Sequence, residues 1–248
     1  MEVDSRCVTK LLCKHHIGIL TCGQRVGNLK DSKHNRCLLQ NHLLNNANVV
    51  RLAGYVDCTS VPTRPNLKLT AVSISACFAN VAPAMHRQYA RTLRLVCEDN
   101  PALWRNFDNS VFAGVNFNFG PQACTVEHTD HLNIPTGWCA VVALGSFDPD
   151  EGGHLILWDL NVFIRFPRGC VIFLPSAILR HSNTSLPADQ HRYSFTQYTA
   201  GGLARWVECG FMSQKEFQAT GGTFARTPQQ RWEEGLARLP QWDGWHEL

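Results

Sequence analysis

Between Val111 and Tyr198 the chain is written in short pieces, several of them alternating apolar and polar residues, and this texture limits the fold more than any other feature. In 111-VFAGVNFNF-119 the odd positions carry Val, Ala, Val, Phe and Phe, while Asn116 and Asn118 fall on even ones. Successive side chains of a strand point to opposite faces, so the two amides share one face and the aromatics take the other. Further strand segments follow at 137-GWCAVVALGS-146, at 154-HLILWDL-160 after the turn 148-DPDEGG-153, and at 191-HRYSFTQY-198. The segments 162-VFIRF-166 and 170-CVIFL-174 flank 167-PRG-169, which reads as a hairpin. Many strands at short spacing, preceded by helix, predict an α+β, mainly β chain. The expected fold is a double-stranded β-helix, or jelly roll, with supporting helices. A barrel of this kind lines its lumen with alternate residues, which suits a buried metal site.

From Ala84 to about Glu98 the period changes. Met85, Tyr89, Leu93 and Val96 recur on one helical face, and Arg87, Arg91 and Arg94 lie on another. The apolar stripe is expected to pack on a sheet, with the arginines in solvent or turned toward phosphate. Residues 1–50 show no sustained period and read as an extension with at most one short helix. Residues 51–212 read as the jelly-roll domain with its N-terminal helices, and 213–248 as a helical or irregular tail.

Composition narrows the class. Of 248 residues, 44% are apolar and 17% charged, the balance of a folded globular chain. The net charge of +3 does not by itself announce nucleic acid, and residues 1–51 hold eight Lys and Arg against three Asp and Glu. No apolar run approaches the roughly 18 residues that span a bilayer, and no secretion signal opens the chain. A soluble, intracellular protein with no membrane partner is expected, with a monomer favoured. The eleven cysteines are then reduced thiols, with Cys77, Cys139 and Cys170 packed as small hydrophobes. Cys7, Cys13, His15, His16, Cys22, His34, Cys37 and His42 form no CxxC pair, so zinc is not expected there.

The chemistry gathers around 128-HTDHLN-133. Two His and one carboxylate on one face of iron(II) leave three positions open, enough for a chelating keto acid and dioxygen. At the end of a period-two strand, His128 and Asp130 would share a face. The third ligand must come from another strand, and His181 in 178-ILRHSN-183 follows the segment 170-CVIFLP-175. Eleven residues later Arg192 offers a planar cation for the distal carboxylate of 2-oxoglutarate, and Ser194 shares its face. A cupin-type centre would put a His where Asp130 stands. A zinc hydrolase would leave Arg192 and Ser194 without a task, and plain turn residues would coincide five times over.

The stretch from Arg51 to about Gly210 resembles the fungal branch of the TET/JBP dioxygenases. The pieces that carry the likeness are 107-FDNSVFAGVNFNFGP-121, 137-GWCAVVALGSFDPDEGGHLILWDL-160, 176-SAILRHSN-183 and 192-RYSFTQYTAGGLARW-206. The resemblance implies an iron(II)/2-oxoglutarate jelly roll that oxidises the methyl group of a base in DNA, 5-methylcytosine first. It matches His128, Asp130 and His181 to the iron ligands and Arg192 to the 2-oxoglutarate arginine. It also puts Asn133 where animal members set an Asn against the flipped base, and Asn116 and Asn118 where related enzymes touch 2-oxoglutarate. One position departs: the base-contacting His of animal members is Ala200 here. That departure leaves N6-methyladenine in DNA, or a methylated RNA, as the alternative substrate. A third alternative is an inactive, transposon-associated remnant that only binds nucleic acid. A DNA substrate implies a nuclear or nucleocytoplasmic protein.

Overall fold

Pro83 opens a helix, where its fixed φ suits the first turn and its missing N–H is not needed. Helix α1 runs Pro65–Val81 and α2 runs Pro83–Asp99. The computed structural model describes residues 18–23, 65–101, 103, 105–119 and 121–241. Helix α2 is the one expected from Ala84 onward. It buries Met85, Tyr89, Thr92, Leu93 and Val96, and leaves Arg87, Arg91 and Arg94 exposed. Helix α1 falls among the N-terminal helices expected of 51–212, but its bounds were not legible, because its apolar residues run around much of the helix and form no clear stripe.

The described strands form two antiparallel sheets. The larger has the order β1 (Gly18–Gly23), β2 (Gly114–Phe119), β8 (His191–Tyr198), β3 (Cys139–Ser146) and β6 (Val171–Leu174). The smaller has the order β5 (Val162–Ile164), β4 (Leu155–Leu157) and β7 (His181–Asn183). From β3 the chain crosses to the small sheet at β4, returns at β6, crosses again at β7 and returns at β8. That winding is a double-stranded β-helix, the expected jelly roll. Three short helices close the described chain: α3 (Gly201–Glu208), α4 (Gln214–Ala219) and α5 (Pro228–Leu236).

Alternation then sorts each strand of the large sheet between two cores. Val115, Phe117, Ala140, Val142 and Phe195 pack with Phe78, Met85, Tyr89 and Phe112 on the helix side. Cys139, Ala143 and Leu174 pack with Leu155, Leu157 and Phe166 on the side facing the small sheet. The latter side is the lumen. Asn118 stands opposite Ser194, which stands opposite Ala143 on its other flank, so all three face the lumen. Arg192 pairs with Gly145 two residues along and shares that face. Gly145 has φ +117°, and a side chain there would strike the His191 carbonyl oxygen, so only glycine lets the strands meet beside Arg192.

Several expectations are corrected. The segments 162–166 and 170–174 are not a hairpin. β5 pairs with β4 in the small sheet and β6 with β3 in the large one. Phe166 is 3% exposed, so burying it between the sheets turns 167-PRG-169 into a crossing, with Gly169 at φ +81°. The strand over 154–160 stops at Leu157 and becomes a 3-10 turn, Trp158–Leu160, closed by Asn161 in the left-handed region at φ 52°. Cys139 is buried, but Cys77 is only half-buried and Cys170 is exposed at the crossing. Within 1–50, β1 adds a strand to the edge of the large sheet beside β2. The short helix allowed for there lies outside the described residues, as do the N-terminal Cys and His other than Cys22, whose backbone is in β1. Among the described residues no helix is long and apolar enough to cross a membrane.

Candidate metal centre

His128 and His181 meet across two backbone hydrogen bonds. The His128 N–H donates to the His181 carbonyl at 3.1 Å, and the His181 N–H returns the bond at 3.0 Å. Residues directly opposed in an antiparallel pair put their side chains on one face. His181 also stands opposite Leu157, which belongs to the lumen core, so both imidazoles enter the lumen side by side. Their ring centroids are 4.3 Å apart. The expectation that His128 and Asp130 close a strand needs correction. His128 forms an isolated bridge and Asp130 lies in irregular chain just past it, its N–H held by the Ser176 carbonyl at 2.8 Å. Their common orientation comes from the partner segments and not from strand period.

One atom of each side chain, from His128, Asp130 and His181, lies within 4.8 Å of the other two. Nε2 of His128 is 3.8 Å from one carboxylate oxygen of Asp130, and Nε2 of His181 is 4.0 Å from the other. Nδ1 of His128 lies 2.7 Å from the Val126 carbonyl, and Nδ1 of His181 lies 2.8 Å from the Leu179 carbonyl. A carbonyl can only accept, so each Nδ1 carries a proton and Nε2 is the atom each ring turns toward the carboxylate. This is how a ligand histidine is fixed in tautomer and angle. Burial lowers the His181 pKa and the nearby His128 adds to this, while the Leu179 carbonyl and Asp130 oppose it. An unprotonated Nε2 near neutral pH is the result.

Arg192 is the largest fully buried side chain of the described chain, at 1% exposure. Its Nη1 donates to the Ala123 carbonyl at 2.8 Å, and its ring neighbour is Phe166, 6.0 Å from the guanidinium carbon. Nε and Nη2 are buried with no acceptor among the described residues. Burial pulls its pKa down to about 10. A guanidinium edge with two unused, parallel donors in an apolar lumen has the shape and charge to take a carboxylate. Ser194 is also buried, and its hydroxyl accepts from Asn118 Nδ2 at 2.6 Å, which leaves its own proton to donate. Asn116 has a buried Oδ1 without a partner among the described residues.

A cavity of about 190 Å³ opens beside Asp130, with Asn116, Asn133, Thr196 and Tyr198 in its walls. Asn133 Nδ2 donates to Ser176 Oγ at 3.2 Å, and its backbone pairs with Ala200. The residue that departs from the animal pattern therefore stands directly opposite Asn133. The sequence reading missed Ser176, which is 1% exposed and holds both Asp130 and Asn133. It also missed Thr196 and Tyr198, although the β8 period that carries Arg192 and Ser194 continues to both.

No family model matches the sequence, and no curated protein matches it. Among solved structures the chain is similar to NgTET1 in complex with 5mC DNA, at 15% identity and TM-score 0.48, over 79% of this chain and 67% of that one. It is also similar to the viral collagen prolyl hydroxylase of Paramecium bursaria Chlorella virus-1 in its 2OG complex, at 18% identity and TM-score 0.29, over 36% of this chain and 59% of that one. A Pseudomonas putida prolyl-4-hydroxylase matches at 16% identity and TM-score 0.31, over 80% of this chain and 100% of that one.

Proposed function

We propose that the protein is an iron(II)/2-oxoglutarate-dependent dioxygenase that oxidises the methyl group of a methylated base in DNA, 5-methylcytosine to 5-hydroxymethylcytosine. The carrying observation is the lumen triad, two imidazole Nε2 atoms and one carboxylate drawn together with both Nδ1 atoms tied back to carbonyls. Two nitrogens and one carboxylate suit iron(II) and keep half of an octahedron free. The unused Nε and Nη2 of buried Arg192 are the independent sign that an anion belongs in the same lumen. The residues present therefore fit both groups. When bound, iron and 2-oxoglutarate with dioxygen supply the oxidising power that an unactivated methyl group demands.

The chain's own residues set the rest. His128, Asp130 and His181 would hold the metal, with Val126 and Leu179 fixing the rings. Arg192 and Ser194 would take the distal carboxylate of the co-substrate, and Asn118 orients the Ser194 hydroxyl. Asn116, with its bare Oδ1, stands between that wall and the cavity. The cavity beside Asp130 would receive the base, turned out of its stack. Asn133 spends its amide N–H on Ser176, which leaves Oδ1 to accept from an exocyclic amine. Cytosine N4 and adenine N6 both present such a donor. The methyl of Ala200 opposite Asn133 adds no hydrogen bond, and this favours N6-methyladenine in DNA, or a methylated RNA, as the second reading. A nuclear or nucleocytoplasmic location and a place within the fungal branch of TET/JBP enzymes belong to the same proposal.

The test is incubation of the full chain with iron(II), 2-oxoglutarate and oligonucleotides carrying each methylated base, followed by mass spectrometry of the nucleosides. Hydroxymethylcytosine from wild type and none from Asp130→Ala is the expected result. Equal product from both proteins would remove the triad from the reaction. Product from methyladenine alone would move the proposal to the second reading.

A further inference from the structure

The cavity beside Asp130 does not end at Asn133. His131, Leu132 and Asn133 line it on one side, and the same three residues line a second, larger groove of about 570 Å³ on the other. The far walls of that groove come from α3 and from the chain through α5. Arg205, Arg226, Arg231 and Arg238 face it together with Glu208 and Glu234. Four arginines against two glutamates leave a surplus of two positive charges in one concave strip.

The pairing within the strip shows which charges are available. Arg226 bonds both Glu208 and Glu234, and Arg231 lies 3.5 Å from Glu208, so these two arginines balance the acids and tie α5 to α3. Arg205 is exposed and bonds the neutral amide of Gln214 at 3.0 Å. Arg238 reaches Glu234, which already holds Arg226 at the shorter distance of 2.8 Å against 3.3 Å. Arg205 and Arg238 therefore carry the surplus. Trp232, also lining the groove, keeps 38% of its surface exposed, an aromatic face among cations. At the junction of groove and cavity Leu132 is 65% exposed, yet its carbonyl is held by the Gly201 N–H at 2.8 Å. It is an apolar side chain on a fixed backbone, at the lip where a base would leave its stack.

We propose that this groove is the seat of the DNA strand flanking the target base, with Arg205 and Arg238 on phosphates, Trp232 against a neighbouring base or sugar, and Leu132 at the gap left by the extruded base. The inference rests on the nucleic-acid reading of the metal centre and extends it to a surface that none of the proposed ligands uses. Phosphate contacts set register and affinity without reading sequence, stacking tolerates any base, and apolar wedges hold unstacked steps apart. The three kinds of residue occur here in one continuous path to the cavity.

The experiment is fluorescence anisotropy of the full chain with a labelled duplex carrying one 5-methylcytosine, repeated across a sodium chloride series. Arg205→Gln and Arg238→Gln are each expected to weaken binding about five- to tenfold and to lower the slope of log K against log salt by about one. Trp232→Ala is expected to weaken binding while leaving the salt slope unchanged. Arg165→Gln, just past β5 where Arg165 pairs with Asp150 outside the groove lining, serves as the control and keeps wild-type binding. Because Arg205 is exposed and, among the described residues, bonds the Gln214 amide, its variant folds even where the Arg238 variant does not. Wild-type affinity and slope in the Arg205 and Trp232 variants would overturn the groove. So would equal binding of polyglutamate, or tighter binding of the RNA of the same sequence. Succinate formation without DNA, measured in the same preparations, is independent of the groove. The absence of succinate in wild type both without DNA and with every methylated oligonucleotide would sink the dioxygenase reading and leave the binding result standing.

Discussion

Arg192 holds a charge where the apolar lumen disfavours it. Two of its donors are buried without acceptors among the described residues, and each such group costs about 1–3 kcal/mol, more when charged. A protein keeps that arrangement when a ligand completes it. Arg192→Met is therefore expected to hold or raise the thermal midpoint of the apoprotein, while the rise that 2-oxoglutarate gives wild type disappears, as read by differential scanning fluorimetry with and without the keto acid. A falling apo midpoint with a preserved ligand shift would show that Arg192 is a structural residue. His181 sets a pH dependence of definite sign. Burial holds its folded pKa below the ordinary 6.5, with His128 adding to the effect and Asp130 opposing it. The unfolded chain then binds the extra proton first. This contribution to stability is complete above about pH 6.5 and is lost as pH falls toward the folded value. Half-buried His86 and His154 are lowered by burial and act in the same direction. The apoprotein midpoint should fall between pH 7.5 and pH 5.5, and His181→Gln should flatten that slope.

Between the two ligand-bearing segments an outer clamp mirrors the inner triad. Glu127 precedes His128 and Arg180 precedes His181, and their side chains meet at 2.7 Å on the exposed face of the same bridge. Arg180 also bonds Asp159, at the turn that ends β4, through both its backbone N–H and its guanidinium at 2.7 Å. Exposed ion pairs of this kind contribute only about 0.2–1 kcal/mol to stability. Their larger effect is on geometry, since a ligand displaced by a fraction of an ångström binds metal less well. Arg180→Ala is expected to shift the midpoint by no more than about 2 °C while weakening iron(II) binding severalfold, measured by titration calorimetry. Unchanged metal affinity would reduce the clamp to surface decoration. At this scale the sequence was legible where period was clean. His191–Tyr198 is a strand with its predicted bounds, and Asn116 and Asn118 lie on the face opposite Phe117 as alternation demands. It was illegible where a segment changes sheets. β5 and β6 look like partners because they are near in sequence, and only the burial of Phe166 sends them to opposite layers.

The whole molecule divides its labour across one sheet. The helix side is built on aromatic packing: Phe78, fully buried, meets the rings of Tyr89, Phe112 and Phe173 at centroid distances of 5.0–5.4 Å, among them a 5.4 Å contact that joins α1 to β6. Phe78→Ala is expected to destabilise the protein by about 3–5 kcal/mol in urea unfolding, since it removes a large ring and leaves a cavity. A change below 1 kcal/mol would mean that the helices are not part of the cooperative core. The lumen side carries the polar side chains that chemistry can use. The sequence by itself determined the alternation that creates these two sides. It also determined the residue types at His128, Asp130, His181 and Arg192, because period and side-chain chemistry are local properties. Only the tertiary structure decided that His128 meets His181 across a two-bond bridge 53 residues apart in sequence, that Ala200 faces Asn133, and that α3 and α5 build a basic groove beside them. Those are closures between distant segments, fixed by which surfaces bury together, and no local pattern records them.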